Sequence, residues 1–204
     1  MARVGILGGS FNPPHVGHLI CAQEAYAQLG LDLVVLMPVA IPPHKAPTDD
    51  PGSAHRVALC RLAAEPDARL GVSTLEVDRG GPSYTVDTLE TLHETHPEDE
   101  LTFIAGGDMA ASLPSWHAPE RLARLATVAV AEREGAGREV VTAALRSAGM
   151  PVEPVYLDAP RVDVSSSDIR GRVGRGAPIR YLVPDPVADY IGAHGLYRPL
   201  VVSP

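Results

Sequence analysis

The chain has 204 residues, of which 45% are hydrophobic and 21% are charged, and these are ordinary values for a soluble globular protein. Its formal net charge of −8 argues against a nucleic-acid partner or an anionic membrane partner. No apolar run is long enough to span a bilayer, and the N-terminal run Val4–Leu7 is too short for the core of a signal peptide. The two cysteines imply no disulfide framework, so we expect a cytoplasmic protein.

The first predicted strand, Val4–Leu7, leads into a glycine turn that is followed by two histidines. Residues 8–18 read Gly-Gly-Ser-Phe-Asn-Pro-Pro-His-Val-Gly-His, and a helix is predicted over Gly17–Leu29. A strand, a glycine-rich turn and a helix N-terminus together present backbone N–H groups to a phosphate. The stretch therefore predicts a phosphate site at which His15 and His18 take part in the chemistry.

A histidine pair at this spacing can also cap a helix or bind a metal ion. No third metal ligand follows on the same helix, so phosphate donors fit the pattern better than metal ligands. The spaced-glycine dinucleotide fingerprint and the Gly-Lys-Ser/Thr P-loop are both missing from the sequence. We therefore expect phosphate to be held in a different way.

Further along the chain, short apolar runs alternate with helical patterns. The other predicted strands are Leu33–Met37, Leu70–Ser73, Leu101–Ala105, Thr127–Ala131 and Val155–Leu157. The other predicted helices are Ala54–Ala64 after a possible N-cap at Ser53, Tyr84–His96 after Ser83, Arg138–Ala148, and Pro186–Gly192. This alternation predicts an α/β fold with a doubly wound parallel sheet, whose ligand binds beyond the carboxyl ends of the strands. We expect one domain over residues 1–204, with residues 160–204 as a small C-terminal helical part.

The segment Pro42–Gly52 is rich in proline, aspartate and glycine, and this composition predicts a loop over the site. It carries Lys45, the one lysine among 17 basic residues. A lone lysine in a loop is usually a solvated charge. Its neighbour His44 is what favours a functional interpretation of this lysine.

Gly8–His18, with its His-Val-Gly-His ending, resembles the signature of the nucleotidyltransferase superfamily. Five further segments resemble, in order, the bacterial nicotinate-nucleotide adenylyltransferases. They are Pro43-His44-Lys45, Arg79–Thr85, Gly106-Gly107-Asp108 with Trp116, Ala131-Glu132-Arg133 and Ser165–Arg170. The histidine motif alone indicates only the superfamily, whereas the Pro-Ser-Tyr-Thr segment with the downstream tryptophan narrows the resemblance. The resemblance extends over nearly the whole chain.

The resemblance implies a Rossmann-like nucleotidyltransferase fold and transfer of the adenylyl group of ATP to nicotinate mononucleotide. The products are deamido-NAD (nicotinate adenine dinucleotide) and pyrophosphate, in NAD biosynthesis. The attacking phosphate is already anionic, so catalysis requires alignment and charge stabilisation but no covalent intermediate. The catalytic residues implied are His15, His18, Lys45 and Arg133, with His18 nearest the α-phosphate and His15 nearer the outer phosphates.

The ATP-binding residues implied by the resemblance are Gly8, Gly9, Ser10, Phe11, His15, His18, Ser165, Ser166, Ser167 and Arg170. By itself, Ser165–Arg170 would be an ordinary helix N-cap. It departs from the family's pattern at Ser167-Asp168, where serine-threonine followed by a variable residue is commoner, and this leaves open which hydroxyl contacts ATP. We expect Mg²⁺ to arrive with ATP, without a cage of protein ligands.

The acceptor-binding residues implied are Asn12, His44, Lys45, Ser83, Tyr84, Thr85, Gly107, Asp108, Trp116 and Arg133. Free N–H groups at the helix beginning near Ser83 favour the nicotinate carboxylate over a neutral amide. The resemblance makes Trp116, in a proline-flanked loop, a stacking surface for the pyridine ring. Asp108 has an alternative as a turn or N-cap residue, and Arg133 as a surface charge. Arg56 faces this region only if its helix packs that way.

Two other functions stay open at this point. The acceptor could be nicotinamide mononucleotide or phosphopantetheine, or the chain could be a nucleotide-binding module without activity. Both histidines, the serine-rich motif and the acceptor segment are present, and this argues against the inactive module. We expect small-molecule substrates and no nucleic-acid or membrane partner, while the sequence leaves a homo-oligomer open.

Overall fold

A parallel β-sheet organises the residues that the computed structural model describes, which are 1–43, 49–131 and 137–198. The strands are β1 (Arg3–Gly9), β2 (Leu33–Pro38), β3 (Leu70–Val72), β4 (Glu100–Gly106), β5 (Thr127–Ala131) and β6 (Val155–Leu157). The helices are α1 (Val16–Leu29), α2 (Ser53–Ala64), α3 (Leu75–Arg79), α4 (Thr85–Thr95), α5 (Gly107–Ser112), α6 (Pro119–Leu125), α7 (Arg138–Ser147), α8 (Ser166–Gly174) and α9 (Asp185–Ala193), with a 3₁₀ turn at Leu113–Ser115.

The strand order is β3-β2-β1-β4-β5-β6, and every neighbouring pair is parallel. The order reverses between β1 and β4, and a parallel sheet opens a crevice at such a reversal, beyond the carboxyl ends of the strands. The glycine turn after β1 and the Gly-Gly-Asp segment after β4 therefore meet at one crevice. This arrangement confirms the predicted doubly wound α/β fold.

The two central strands are buried on both faces, which explains their nearly continuous apolar sequence. Along β1, Ile6 faces one hydrophobic cluster and Leu7 the other, and along β4 Phe103 and Ile104 alternate in the same way. Gly5 leaves room for this packing, because an added Cβ would lie 2.7 Å from the Leu31 Cδ1 atom. The sheet is therefore the middle layer between two helical layers.

A third hydrophobic cluster joins the C-terminal helices to α2. Leu59 of α2 packs with Ile169 of α8 and with Val187 and Ile191 of α9. This packing places the start of α8 beside the glycine turn. The division of the chain into one domain with a C-terminal helical part stays a prediction.

Some predicted helix ends differ from those of the structure. Ser53 is the first residue of α2 and not its N-cap, since Gly52 with a φ of 98° occupies that position. α4 begins at Thr85, with Tyr84 as its N-cap. Three further helices, α3, α5 and α6, were not predicted; they have five, six and seven residues and are too short to show helical periodicity. In the described residues, the helices are all too short or too polar to cross a bilayer.

Candidate active site

A cavity of about 440 Å³ lies at the crevice between β1 and β4. Nine of the residues predicted to bind ATP line it, namely Gly8, Gly9, Ser10, Phe11, His15, His18, Ser166, Ser167 and Arg170. Asn12 and Asp108, predicted for the acceptor, also line it. The cavity lining does not include Ser165, Ser83, Tyr84, Thr85, Gly107 or Trp116. His44, Lys45 and Arg133 lie outside the described residues.

The two histidines form a close pair with tilted rings at the start of α1. His15 is the N-cap residue and is only 3% exposed, and its ring centroid lies 3.8 Å from that of His18. The His15 backbone N–H donates to Nδ1 of His18 over 3.2 Å. A neutral imidazole that accepts at Nδ1 carries its proton at Nε2. His18 therefore serves the helix cap through one nitrogen and keeps the other as an N–H donor, so capping and phosphate binding are compatible.

The turn before the histidines is anchored in the hydrophobic core. Phe11 is 1% exposed and has a φ of 48°, a left-handed conformation that non-glycine residues seldom adopt. Its ring packs with the cluster around Leu7 and lies 5.0 Å from the ring of His18. Core packing thus holds the turn in this unusual conformation beneath the cavity.

The start of α8 is hydrogen-bonded to the same turn. Ser165 caps the helix by accepting the Asp168 N–H at 3.0 Å, so its hydroxyl has the ordinary role that the segment alone suggested. The Ser166 hydroxyl donates to the Pro13 carbonyl at 2.8 Å. Ser167 is exposed to the cavity and lies 3.3 Å from an Arg170 nitrogen, and this leaves Ser167 as the hydroxyl best placed for a ligand.

Arg170 extends this connection across the turn. Its Nη1 donates to the Asn12 carbonyl at 2.9 Å, while its Nε lies 4.0 Å from the Asp49 carboxylate. The guanidinium therefore joins α8, the turn and Asp49. It still lines the cavity, so a positive charge is available to a phosphate there.

Arg56 of α2 is buried behind the turn and does not line the cavity. It is 1% exposed, and its guanidinium donates to the carbonyls of Ser10 at 3.1 Å, Val39 at 2.7 Å and Ala40 at 3.1 Å. Its Nε is 3.0 Å from the Asp50 carboxylate. A buried cation needs this degree of hydrogen bonding and charge pairing. Arg56 thus joins the end of the glycine turn to the chain that leaves β2.

The predicted acceptor residues lie around α4 and the 3₁₀ turn. Ser83 is buried, and its hydroxyl accepts the Ala40 N–H at 2.8 Å. The Tyr84 ring lies 4.7 Å from that of His117. Trp116 is half-buried, with its ring edge-on to Phe103, so its proline-flanked position did not keep it away from the core.

Asp108 is exposed in the first turn of α5, and Gly106 is the N-cap of that helix. The alternative in which Asp108 caps the helix is therefore wrong. The segment 159–163 was not predicted as part of the site; it follows β6 and lines the cavity, with Arg161 and Asp163 among its residues. Its position at the carboxyl end of a strand was the signal that could have identified it.

Comparisons with known proteins agree with this geometry. Residues 6–172 match the Cytidylyltransferase-like family. A protein of Roseiflexus sp. (strain RS-1), named probable nicotinate-nucleotide adenylyltransferase, is 43% identical over 97% of this chain and 98% of its own length. A protein of the same name from Thermus thermophilus is 42% identical over 96% of this chain and 100% of its own length. The fold matches that of Plasmodium falciparum nicotinic acid mononucleotide adenylyltransferase complexed with NaAD, with a TM-score of 0.78 and 20% identity. The match covers 97% of this chain and 98% of the Plasmodium chain.

Replacing Arg56 tests whether this buried guanidinium supports the turn. We expect Arg56→Ala to lower the free energy of unfolding by about 3–5 kcal/mol, because three carbonyls and a carboxylate lose their partner. Urea denaturation at equilibrium measures the loss. Arg61→Ala is the matched control, since Arg61 is exposed on the same helix. Equal losses in both variants would contradict the structural role of Arg56.

Proposed function

The chain belongs to the nicotinate-nucleotide adenylyltransferase family, and we propose that its cavity transfers the adenylyl group of ATP to nicotinate mononucleotide. The products are deamido-NAD and pyrophosphate, as NAD biosynthesis requires. The observation that carries the proposal is the close pair of His15 and His18, which faces the same cavity as the start of α8. Family membership supplies the identity of the acceptor.

We assign the reaction to direct in-line attack on the α-phosphorus of ATP. An oxygen of the acceptor phosphate forms the new P–O bond, and the bond to pyrophosphate breaks as the leaving group departs. Neither a base nor a covalent nucleophile is needed, because the attacking oxygen is already anionic. The protein supplies alignment and stabilises the charge that develops on the phosphates.

The histidines and α8 form the ATP side of this proposal. The Nε2–H of His18 donates to the α-phosphate, and His15 lies nearer the outer phosphates. Arg170 and the N–H groups at the start of α8 add positive potential, and Ser167 supplies a hydroxyl. Arg161 lines the described cavity as well and is exposed, so we add it to the cations that face the triphosphate.

The acceptor side is proposed at the N-terminus of α4. The Thr85 N–H at its first position binds the nicotinate carboxylate, since the Tyr84 N–H already donates to the Pro82 carbonyl at 3.2 Å. Trp116 stacks on the pyridine ring, and Tyr84 lies beside this site. Asp108 contacts the nucleoside. The hydroxyl of Ser83 is already bonded to Ala40, so Ser83 contributes to the shape of this site and not through that oxygen. His44, Lys45 and Arg133 keep their proposed contacts with phosphate.

We propose that Mg²⁺ enters with ATP. Asp108 and Asp163 are the carboxylates among the described residues of the cavity lining, and the described residues contain no group of three or more metal-ligating side chains. This donor set fits a cation held mainly by phosphate and water. When bound, the ion neutralises charge on the phosphates of ATP. The cytoplasmic location and a homo-oligomer stay predictions.

An acceptor assay tests the proposed function. Pyrophosphate release with ATP and Mg²⁺ is measured with nicotinate mononucleotide, nicotinamide mononucleotide and phosphopantetheine. We expect the first acceptor to give the highest kcat/KM, because the N-terminus of α4 favours an anion. An equal or higher kcat/KM with nicotinamide mononucleotide would contradict the proposed selection for the carboxylate. Binding of ATP without pyrophosphate release from any acceptor would instead favour the inactive module.

Replacing His18 tests the assignment of the phosphate donor. We expect His18→Ala to lower kcat by about 10²–10³-fold with a modest change in the KM for ATP, since a donor to developing charge is lost. His96→Ala is the control, because His96 is an exposed histidine that directly follows α4. Thermal unfolding is measured in parallel because His18 also accepts the His15 N–H. A near-wild-type kcat would remove His18 from its proposed role.

Replacing Trp116 tests the stacking assignment. We expect Trp116→Ala to raise the KM for nicotinate mononucleotide by about 10-fold and to leave the KM for ATP unchanged, because an aromatic contact is lost. Trp116→Phe keeps a ring that can pack on Phe103, so its KM for nicotinate mononucleotide is expected to lie between those of the wild type and Trp116→Ala. Steady-state kinetics with each substrate varied in turn measures this difference. A selective loss of ATP affinity contradicts the assignment.

A further inference from the structure

A buried carboxyl group lies outside the cavity and has no part in the proposed chemistry. Glu76 of α3 is 4% exposed, and burial raises the pKa of its carboxyl. The Thr88 hydroxyl donates to its Oε1 at 2.7 Å, and the Arg79 guanidinium donates to that hydroxyl at 3.1 Å. Thr88 belongs to the first turns of α4, the helix whose N-terminus faces the proposed acceptor. The carboxyl is thus bonded to the body of this helix.

Ser83 leads into α4 and is bonded to the chain that leaves β2. Its hydroxyl accepts the Ala40 N–H at 2.8 Å. Its backbone N–H in turn donates to the Ile41 carbonyl at 2.9 Å. The start of α4 is therefore held by the buried acid through Thr88 on one side and by the chain leaving β2 on the other.

The same hydrogen-bonded chain continues to the ATP side. The carbonyl of Ala40 accepts an Arg56 nitrogen at 3.1 Å, and Arg56 donates to the Ser10 carbonyl at 3.1 Å. A series of polar contacts thus runs from Ser83 through Ala40 and Arg56 to the glycine turn. The start of α4 and the turn are joined by hydrogen bonds of fixed geometry, and not only by apolar packing.

We propose that Glu76 is a positioning residue that acts through Thr88 to fix the first turns of α4, the helix that Ser83 joins to the chain leaving β2. The inference rests on the proposed function, because it takes the start of α4 as the acceptor site. In-line transfer depends on the alignment of two bound substrates, and a misplacement of about 1 Å can lower the rate by about 100-fold. A carboxyl group suits this task because its Oε1 accepts the hydrogen bond from the Thr88 hydroxyl, which itself accepts one from Arg79.

The test compares Glu76→Leu, which removes the acceptor oxygens, with Glu76→Gln, which keeps one. We expect Glu76→Leu to raise the KM for nicotinate mononucleotide and lower kcat by about 10-fold each, with the KM for ATP unchanged. Glu76→Gln is expected to restore most of both values. Asp78→Asn is the matched control, because Asp78 is an exposed acid on the same helix.

A second pair of variants approaches the same contact from α4 and decides the matter if Glu76→Leu does not fold. Thr88→Val removes the hydroxyl that donates to Glu76, while Thr91→Val removes one that bonds only within the helix, to the Asp87 carbonyl. We expect the selective rise in the acceptor KM in Thr88→Val and not in Thr91→Val. A change in thermal stability alone, or equal changes in both KM values, would overturn the proposal. If the wild-type protein does not use nicotinate mononucleotide, the proposed function fails; if it does and these variants match it, only the inference fails.

Discussion

The candidate site depends on the conformation of one turn, residues 10–15, between the central strand β1 and the helix α1. Three separate contacts hold it: Phe11 is buried in the core, Arg56 binds the Ser10 carbonyl, and Arg170 binds the Asn12 carbonyl. Each cation satisfies backbone oxygens that would otherwise be left without partners as the chain reverses. The turn is therefore preorganised, and the histidine pair that follows it needs little movement to meet a ligand.

Electrostatics at the site is local and differs from the charge of the whole chain. The net charge is −8, yet in the described cavity lining Arg161 and Arg170 balance Asp108 and Asp163, and the starts of α1 and α8 also line the cavity. Helix N-termini attract anions without adding a formal charge, and a neutral imidazole with its proton on Nε2 does the same. This combination fits a site for polyphosphates in an acidic protein.

The sequence allowed the sheet and the histidine motif to be predicted because both leave local signals. Buried parallel strands are continuous apolar runs, and a glycine turn before a helix has a recognisable spacing. The roles of Arg56 and Glu76 could not be predicted in the same way, since their burial depends on contacts far along the chain. Arg56 is hydrogen-bonded to Ser10, which is 46 positions away in the sequence, and Glu76 to Thr88, which is 12 positions away. Nothing near either residue distinguishes it from a solvated charge.

The bond between Ser166 and Pro13 has a consequence for how the protein is made. It joins residues 153 positions apart, so the turn and the start of α8 come together only when most of the chain is available. Domains generally fold as units as they leave the ribosome. A nascent chain that ends before α8 has the histidine motif but lacks the helix that completes the cavity. Nucleotide binding is therefore acquired late in synthesis, and a truncated product should be inert even where its sheet has formed.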